Sequence, residues 1–254
     1  MINLIFNIIF QKHENDIAFW RQLWSRKIEL FNKTGMTDWD SFSSQRYYQI
    51  LLSDLTTYLD FDSKNKKVLE MGAGTGILSL LMAAKGAEVY LVDILPEAIV
   101  YMKILENKLK KELPFFLGSV KYITKDFNSL TNKDFPYHYF DLVHNMGVIE
   151  EYSSDEVVII LSKMRKYTHS KGITLVGVPN FFNPYLIKIW SKYGKGNEIF
   201  YTKRLLRKVL LKAGLVNVKV INSSYVYPFK RFTKLERWLG RHGLGFLKIA
   251  IIRF

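Results

Sequence analysis

No cysteine occurs among the 254 residues, which excludes disulfides, thiolate metal sites and a cysteine nucleophile. Nothing in such a chain calls for an oxidising compartment, so a cytoplasmic location is the expectation. Long apolar runs are missing too. The most apolar early stretch, residues 4–10, is interrupted by Asn7 and followed by Lys12, His13 and Glu14, far short of the ~20 apolar residues a membrane-spanning helix needs. Residues 1–11 show neither the basic start nor the small-residue cleavage site of a signal peptide. Internal repeats, low-complexity tracts and Pro/Gly-rich linkers are also absent, so one structural domain with added elements is expected.

Positive charge, by contrast, is abundant: the net charge is +14. It is unevenly placed, with 20 Lys and Arg against two acids, Glu198 and Glu236, over residues 157–254. Such a basic third attracts nucleic acid, an anionic lipid surface or an acidic small molecule, or it is a solvated lysine-rich surface with no partner.

Apolar periodicity switches repeatedly between strand and helix. Strands are expected at 68–71, 87–92, 120–124, 139–144 and 173–178, with helices at 77–84, 96–112 and 155–168 between them. This alternation predicts an α/β fold whose parallel sheet carries helices on both faces. After a helix at 202–213 the rhythm changes. Strand-like runs at 216–227 and 246–252, separated by a helical segment at 232–239, predict an antiparallel pair at the sheet edge. Ahead of the alternation, residues 17–31 and 44–59 form amphipathic helices rich in aromatics, including Trp20, Trp24, Tyr47 and Tyr48, which predict a helical cap. Aromatics at helical spacing point first to packing.

The most informative segment is Val68-Leu69-Glu70-Met71-Gly72-Ala73-Gly74-Thr75-Gly76, a strand running into three alternate glycines and a helix. Glycines there let the backbone approach a ligand at the carboxyl end of the strand. The dinucleotide pattern G-x-G-x-x-G is not met, because Ile77 stands at the third glycine position, and no P-loop Gly-Lys-Ser/Thr follows. Asp93 ends the next strand, where a carboxylate can accept both ribose hydroxyls of a nucleoside, with Ile94 lying against the base. Asp126, beside Phe127 after the third strand, can accept an adenine amino group, or can cap a short helix. Glu70 is placed to receive a ligand ammonium.

Together these residues resemble the class I S-adenosylmethionine-dependent methyltransferases, and the small-molecule (type 11-like) branch in particular, from about Lys67 to the C-terminus. The resemblance implies a Rossmann-like, doubly wound, mostly parallel seven-stranded sheet with an antiparallel C-terminal edge pair and an N-terminal helical cap. The implied layout is a cap over 1–62 and the methyltransferase domain over 63–254, with a lid insertion at about 180–201. S-adenosylmethionine is the implied cofactor and S-adenosylhomocysteine the product. Gly72, Ala73, Gly74 and Gly76 would wrap its methionine part, Asp93 its ribose, and Asp126 with Phe127 its adenine. In that branch a Gly-Val-Leu/Ile-Glu-His run follows the fourth strand. Here Gly147-Val148-Ile149-Glu150-Glu151 carries Glu151 in place of the histidine.

Methyl transfer from a sulfonium gains much of its rate from holding the acceptor in line with the methyl group. For a hydroxyl acceptor, His144 at the end of the fourth strand is the candidate base, its alternative being a packed histidine that orients a loop. Asn145 would border the methyl end of the cofactor. No carboxylate cluster after the fourth strand suggests a Mg²⁺ site, and the Asn/Asp-Pro-Pro-Tyr/Phe motif of nucleobase and amide methylases is absent. A small-molecule acceptor, anionic or lipid-like, is expected, with peripheral membrane contact as a corollary of the basic third. The alternatives are an RNA methyltransferase, against which no RNA-binding module or base-stacking motif is found, and a non-catalytic cofactor-binding protein.

Overall fold

Apolar β-branched runs become the strands β1 (Lys67–Met71), β2 (Glu88–Asp93), β3 (Ser119–Thr124), β4 (Phe140–Met146), β5 (Thr168–Pro179), β6 (Val218–Asn222) and β7 (Leu247–Arg253). The helices are α1 (Glu14–Thr34), α2 (Phe42–Leu59), α3 (Ile77–Ala84), α4 (Pro96–Glu112), α5 (Ser154–Tyr167), α6 (Pro184–Tyr193), α7 (Lys203–Lys212) and α8 (Thr233–Leu239). The structure, a computed structural model, describes residues 14–193, 198–226 and 233–254, without the side chains of 14–16, 189–193 and 233.

All seven strands form one sheet in the order β3-β2-β1-β4-β5-β7-β6. The first five pair in parallel, and β7 lies antiparallel between β5 and β6. This is the Rossmann-like, doubly wound sheet with an antiparallel C-terminal pair that the sequence implies. Chain direction across the sheet reverses between β1 and β4, so the carboxyl ends of these two strands flank the crevice where open α/β sheets bind ligands.

Strand alternation sorts the core onto two faces. Val68, Val89, Leu91, Leu142, Leu175 and Ile249 face a cluster built from α1 to α4. Leu69, Met71, Tyr90, Val143, Val176 and Ala250 face a second cluster with α5 and α7. Local signals set the element ends. Pro96 opens α4. Ser153 and Glu156 form a reciprocal capping box at α5, and the Thr202 side chain accepts from Leu205 N–H at α7.

Two boundaries differ from expectation by five residues. β5 starts at Thr168 rather than 173, because Thr168 turns extended after α5, pairs with Phe140 across a bulge and shares a 2.7 Å hydroxyl contact with Thr174. β6 stops at Asn222 rather than running to 227. The next residues leave the sheet because Ser224 N–H and its hydroxyl both donate to buried Asp54 of α2. Residues 227–232, which the expected strand and helix both reach into, lie outside the described residues.

Candidate active site

The glycine turn between β1 and α3 needs its glycines. Gly72, Gly74 and Gly76 have φ values of 74°, 54° and 64°, in the left-handed region that side chains rarely enter. A Cβ on Gly72 would lie 2.9 Å from Val148, and one on Gly74 would sit 3.5 Å from the Trp24 ring. The turn is fastened to β2: Gly72 and Ala73 N–H donate to the Val92 carbonyl, and Gly74 N–H donates to Asp93 Oδ2 at 2.9 Å. Asp93 Oδ1 accepts Leu95 N–H at 3.0 Å, so this carboxylate joins the turn to the start of α4. Burial pushes its acidity towards a higher pKa, against these donors.

Glu70, next to last in β1, lies just below the turn and is 5% exposed. Burial raises its pKa to about 8; the Ser79 hydroxyl opposes the rise and the Asp93 charge adds to it. Its Oε2 is buried without a hydrogen-bond partner. Asp126 accepts Asn128 N–H at 2.8 Å, capping the short turn that begins at Phe127, and both residues also line the cavity. Capping and site lining are therefore compatible roles for this acid.

Over these strand ends opens a cavity of about 740 Å³, within the ~300–1,000 Å³ of small-molecule sites. Glu70, Gly72, Ala73, Gly74, Asp93, Ile94, Asp126 and Phe127 line it together; Gly76 does not, and instead caps α3 against Leu91 and Met102. On the β5–β7 side the wall is aromatic, with Tyr185, Tyr225 and Phe246 joining Tyr47 and Tyr48 of α2. Tyr47 meets Tyr225 and Phe246 edge-on at 5.4 and 5.1 Å. The Tyr48 hydroxyl lies 3.0 Å from Thr75 Oγ1.

α1 closes the cavity from above. Trp20 stacks on Trp24, and its indole N–H donates to Glu151 at 3.1 and 3.2 Å. The residue that departs from the family run is thus the anchor of the cap. Among the aromatics of 180–201, where a lid is expected, Tyr185 reaches this cavity, Phe182 lines a separate one and Phe181 packs on Phe200. The side chains of Trp190 and Tyr193 lie outside the described residues.

His144 and Asn145 are placed otherwise than expected. His144 is fully buried and off the cavity wall. Its Nε2 lies 2.8 Å from Ser79 Oγ and its Nδ1 3.8 Å from Glu70 Oε1, on the face of the sheet beneath α3. Burial drives its pKa down to about 3, so the ring is neutral. Asn145 points to the other face and donates to the Met71 carbonyl at 2.7 Å. Met146, Gly147 and Val148 form the wall in its place. Sequence reasoning passed over these three and Thr75, although their position directly after β4 and inside the glycine turn was a usable signal. Trp20, Trp24, Tyr225 and Phe246 carried no such signal.

A family model described as "Methyltransferase domain" matches residues 62–214, more than half of the chain, and the chain belongs to that family. Its fold and glycine turn are those of the class I S-adenosylmethionine-dependent methyltransferases. It is 35% identical over 107 residues to the mitochondrial ubiquinone biosynthesis O-methyltransferase of Schizosaccharomyces pombe, a match spanning 37% of this chain and 38% of that relative. Among solved structures it resembles a possible histamine N-methyltransferase from Thermotoga maritima, with TM-score 0.59 and 14% identity over 92% of this chain and 99% of that one. It also resembles magnesium protoporphyrin IX methyltransferase from Synechocystis PCC 6803 with bound S-adenosylmethionine, with TM-score 0.55 and 17% identity over 89% and 94% of the two chains.

Proposed function

We propose that the chain transfers the methyl group of S-adenosylmethionine to a small, apolar, lipid-like acceptor bound in the aromatic half of the cavity. One observation carries this reading: a single cavity is lined at once by the glycine turn with its acids and by a box of aromatic rings. The cofactor fits the first part. The partnerless, buried Oε2 of Glu70 meets the need of an ammonium group, and Gly72, Ala73 and Gly74 present the turn to the cavity with no side chain beyond one methyl group in the way. Asp93, Ile94, Asp126 and Phe127 then receive the ribose and adenine.

Bound S-adenosylmethionine supplies an electrophilic sulfonium methyl group. The residues of the chain position and dehydrate the reactants. Tyr47, Tyr48, Tyr225 and Phe246 hold the acceptor by apolar contact, and the Trp20–Glu151 bond keeps α1 over the site, excluding water. His144, behind the wall and bonded to Ser79, does not reach an acceptor, so a hydroxyl, carbon and amine acceptor all stay compatible with the site. Among the described residues, the cavity lining holds Glu70, Asp93, Asp126, Glu151 and Glu156 but only Lys27 among bases, and Lys27 is paired with Asp38 at 2.5 Å. That charge disfavours an anionic acceptor head inside the cavity, and assigns any attraction to anionic membranes to the outer basic surface. No helix among the described residues is long and apolar enough to cross a membrane; the cysteine-free chain suits the cytoplasm.

The test is transfer of radiolabelled methyl from S-adenosylmethionine into cell extract fractionated into lipid, RNA, protein and small molecules. Label is expected in the lipid or small-molecule fraction and lost with Asp93→Ala. Label in RNA alone would replace this reading with the RNA one, and no label in any fraction would favour a binding protein.

A further inference from the structure

A second cavity, about 320 Å³, opens at the carboxyl edge of the sheet beside β6 and β7 and shares no lining residue with the first. Thr202, Lys203, Asn222, His242 and Lys248 are among its walls, and among the described residues no acid is. Lys248 is unusual. It sits in β7, paired with Val178 of β5 on one side and Asn222 of β6 on the other, and is 4% exposed. A buried ammonium normally has a carboxylate partner, because desolvation is otherwise uncompensated. Lys248 has only the neutral Asn180 Oδ1 as hydrogen-bond acceptor, with its Nζ 5.3 Å from the centre of the Phe182 ring. Burial, and then the Lys203 charge, lower its pKa to about 8, so the second lysine aggravates the imbalance.

Two more features complete the site. Thr202 and Lys203 place the N-terminus of the ten-residue α7 at the wall, where unpaired N–H groups favour an anion. Asn222 donates through Nδ2 to the Arg241 carbonyl, which leaves its Oδ1 buried without a donor. The Arg241 guanidinium turns away to Ser224 and Tyr58, so the lysines and the helix end carry the positive field.

We propose that this cavity binds a phosphoryl group, with Lys248 and Lys203 as its cationic ligands and Asn222 Oδ1 accepting a hydroxyl from it. Hydrogenphosphate offers both the double negative charge two lysines call for and a hydroxyl donor, and a phosphomonoester offers the charge as its dianion or the hydroxyl as its monoanion; a carboxylate offers neither. The site is independent of methyl transfer, since β7 presents Leu247 to the first cavity and Lys248 to the second.

Calorimetric titration of the whole protein with inorganic phosphate, at ionic strength held constant with chloride, tests it. Saturable binding is expected, weakened about tenfold or more by Lys203→Gln and by Lys248→Met and unchanged by Lys208→Gln, on the same helix but outside the cavity. Lys203 and Lys208 are both exposed, so their variants fold even where Lys248→Met does not. Co-sedimentation with phosphatidic acid vesicles separates the sources. Vesicle binding competed by free phosphate assigns a lipid headgroup, and phosphate binding without vesicle binding assigns a soluble phosphate; both uphold the site. Absent phosphate binding, or binding indifferent to Lys203→Gln, overturns it. S-adenosylmethionine affinity should be the same in all three variants, so failure here leaves the methyltransferase reading untouched.

Discussion

Glu70 and His144 face each other 3.8 Å apart beneath α3, and burial drives both towards neutrality. Their effects on stability are opposite. Glu70, raised from 4.5 to about 8, holds a proton in the folded state that the unfolded chain has lost, so its contribution falls as pH rises through that window. His144, lowered from 6.5 to about 3, is neutral when folded and protonated when unfolded between those values, so stability rises with pH there. Of these two, only Glu70 acts above about 6.5. Unliganded protein should therefore lose stability from pH 6.5 to 8, and Glu70→Gln should flatten that slope in chemical denaturation. Binding a cofactor ammonium needs the carboxylate, so binding at pH 7 should release a proton, read by calorimetry in buffers of different ionisation heat such as HEPES and Tris. Glu70→Gln should abolish the release and weaken binding about tenfold or more; unchanged affinity would remove Glu70 from the cofactor site.

At the scale of elements, α1 has the most to lose. Trp24 is 5% exposed, lies against Gly74 and Tyr101, and stacks on Trp20, whose N–H reaches Glu151 after β4. One helix thus touches both the glycine turn and the segment facing it. Trp24→Ala should cost roughly 3–5 kcal/mol of stability and also weaken cofactor binding, because the turn loses its support. Trp20→Phe keeps the ring and removes the donor. It should leave stability within about 1 kcal/mol and raise the acceptor KM more than it weakens cofactor binding. An equal effect on both would mean that the Trp20–Glu151 bond holds the cofactor side rather than closing the acceptor side.

Across the whole molecule, the cap is stitched to the opposite end of the chain. Asp54 of α2 accepts two hydrogen bonds from Ser224, Arg46 of α2 pairs with buried Glu236 of α8, and Arg253 donates to the Leu59 carbonyl. Leu51, Leu55 and Leu59 are each 1% exposed within the same core as α3 and β7. A chain starting at residue 63 should consequently fail to unfold cooperatively by circular dichroism, because it exposes that core and removes Arg46 from buried Glu236. Leu55→Ala in the full chain should cost about 2–5 kcal/mol. Cooperative folding of the shortened chain would make the cap a separate unit.

The sequence alone determined what depends on near neighbours. Alternating apolar runs determined the order of strands and helices, and the spacing of Gly72, Gly74 and Gly76 after β1 determined the turn, because a left-handed backbone is a local demand. Glu70, Ile94, Asp93, Asp126 and Phe127 were legible for the same reason: each ends a strand or follows one directly, and parallel strands bring such ends to one edge. Tertiary structure alone decided the rest. Whether His144 meets solvent or Ser79 depends on which face α3 covers, and Asn145, one residue on, is turned by the pleat to the opposite face, where Met71 needs a donor. The aromatic box gathers Tyr47, Tyr185, Tyr225 and Phe246 from four distant segments, and the basic cavity sets Lys203 beside Lys248 across 45 residues of chain. Those meetings follow from β7 inserting between β5 and β6, a long-range pairing that no local pattern encodes.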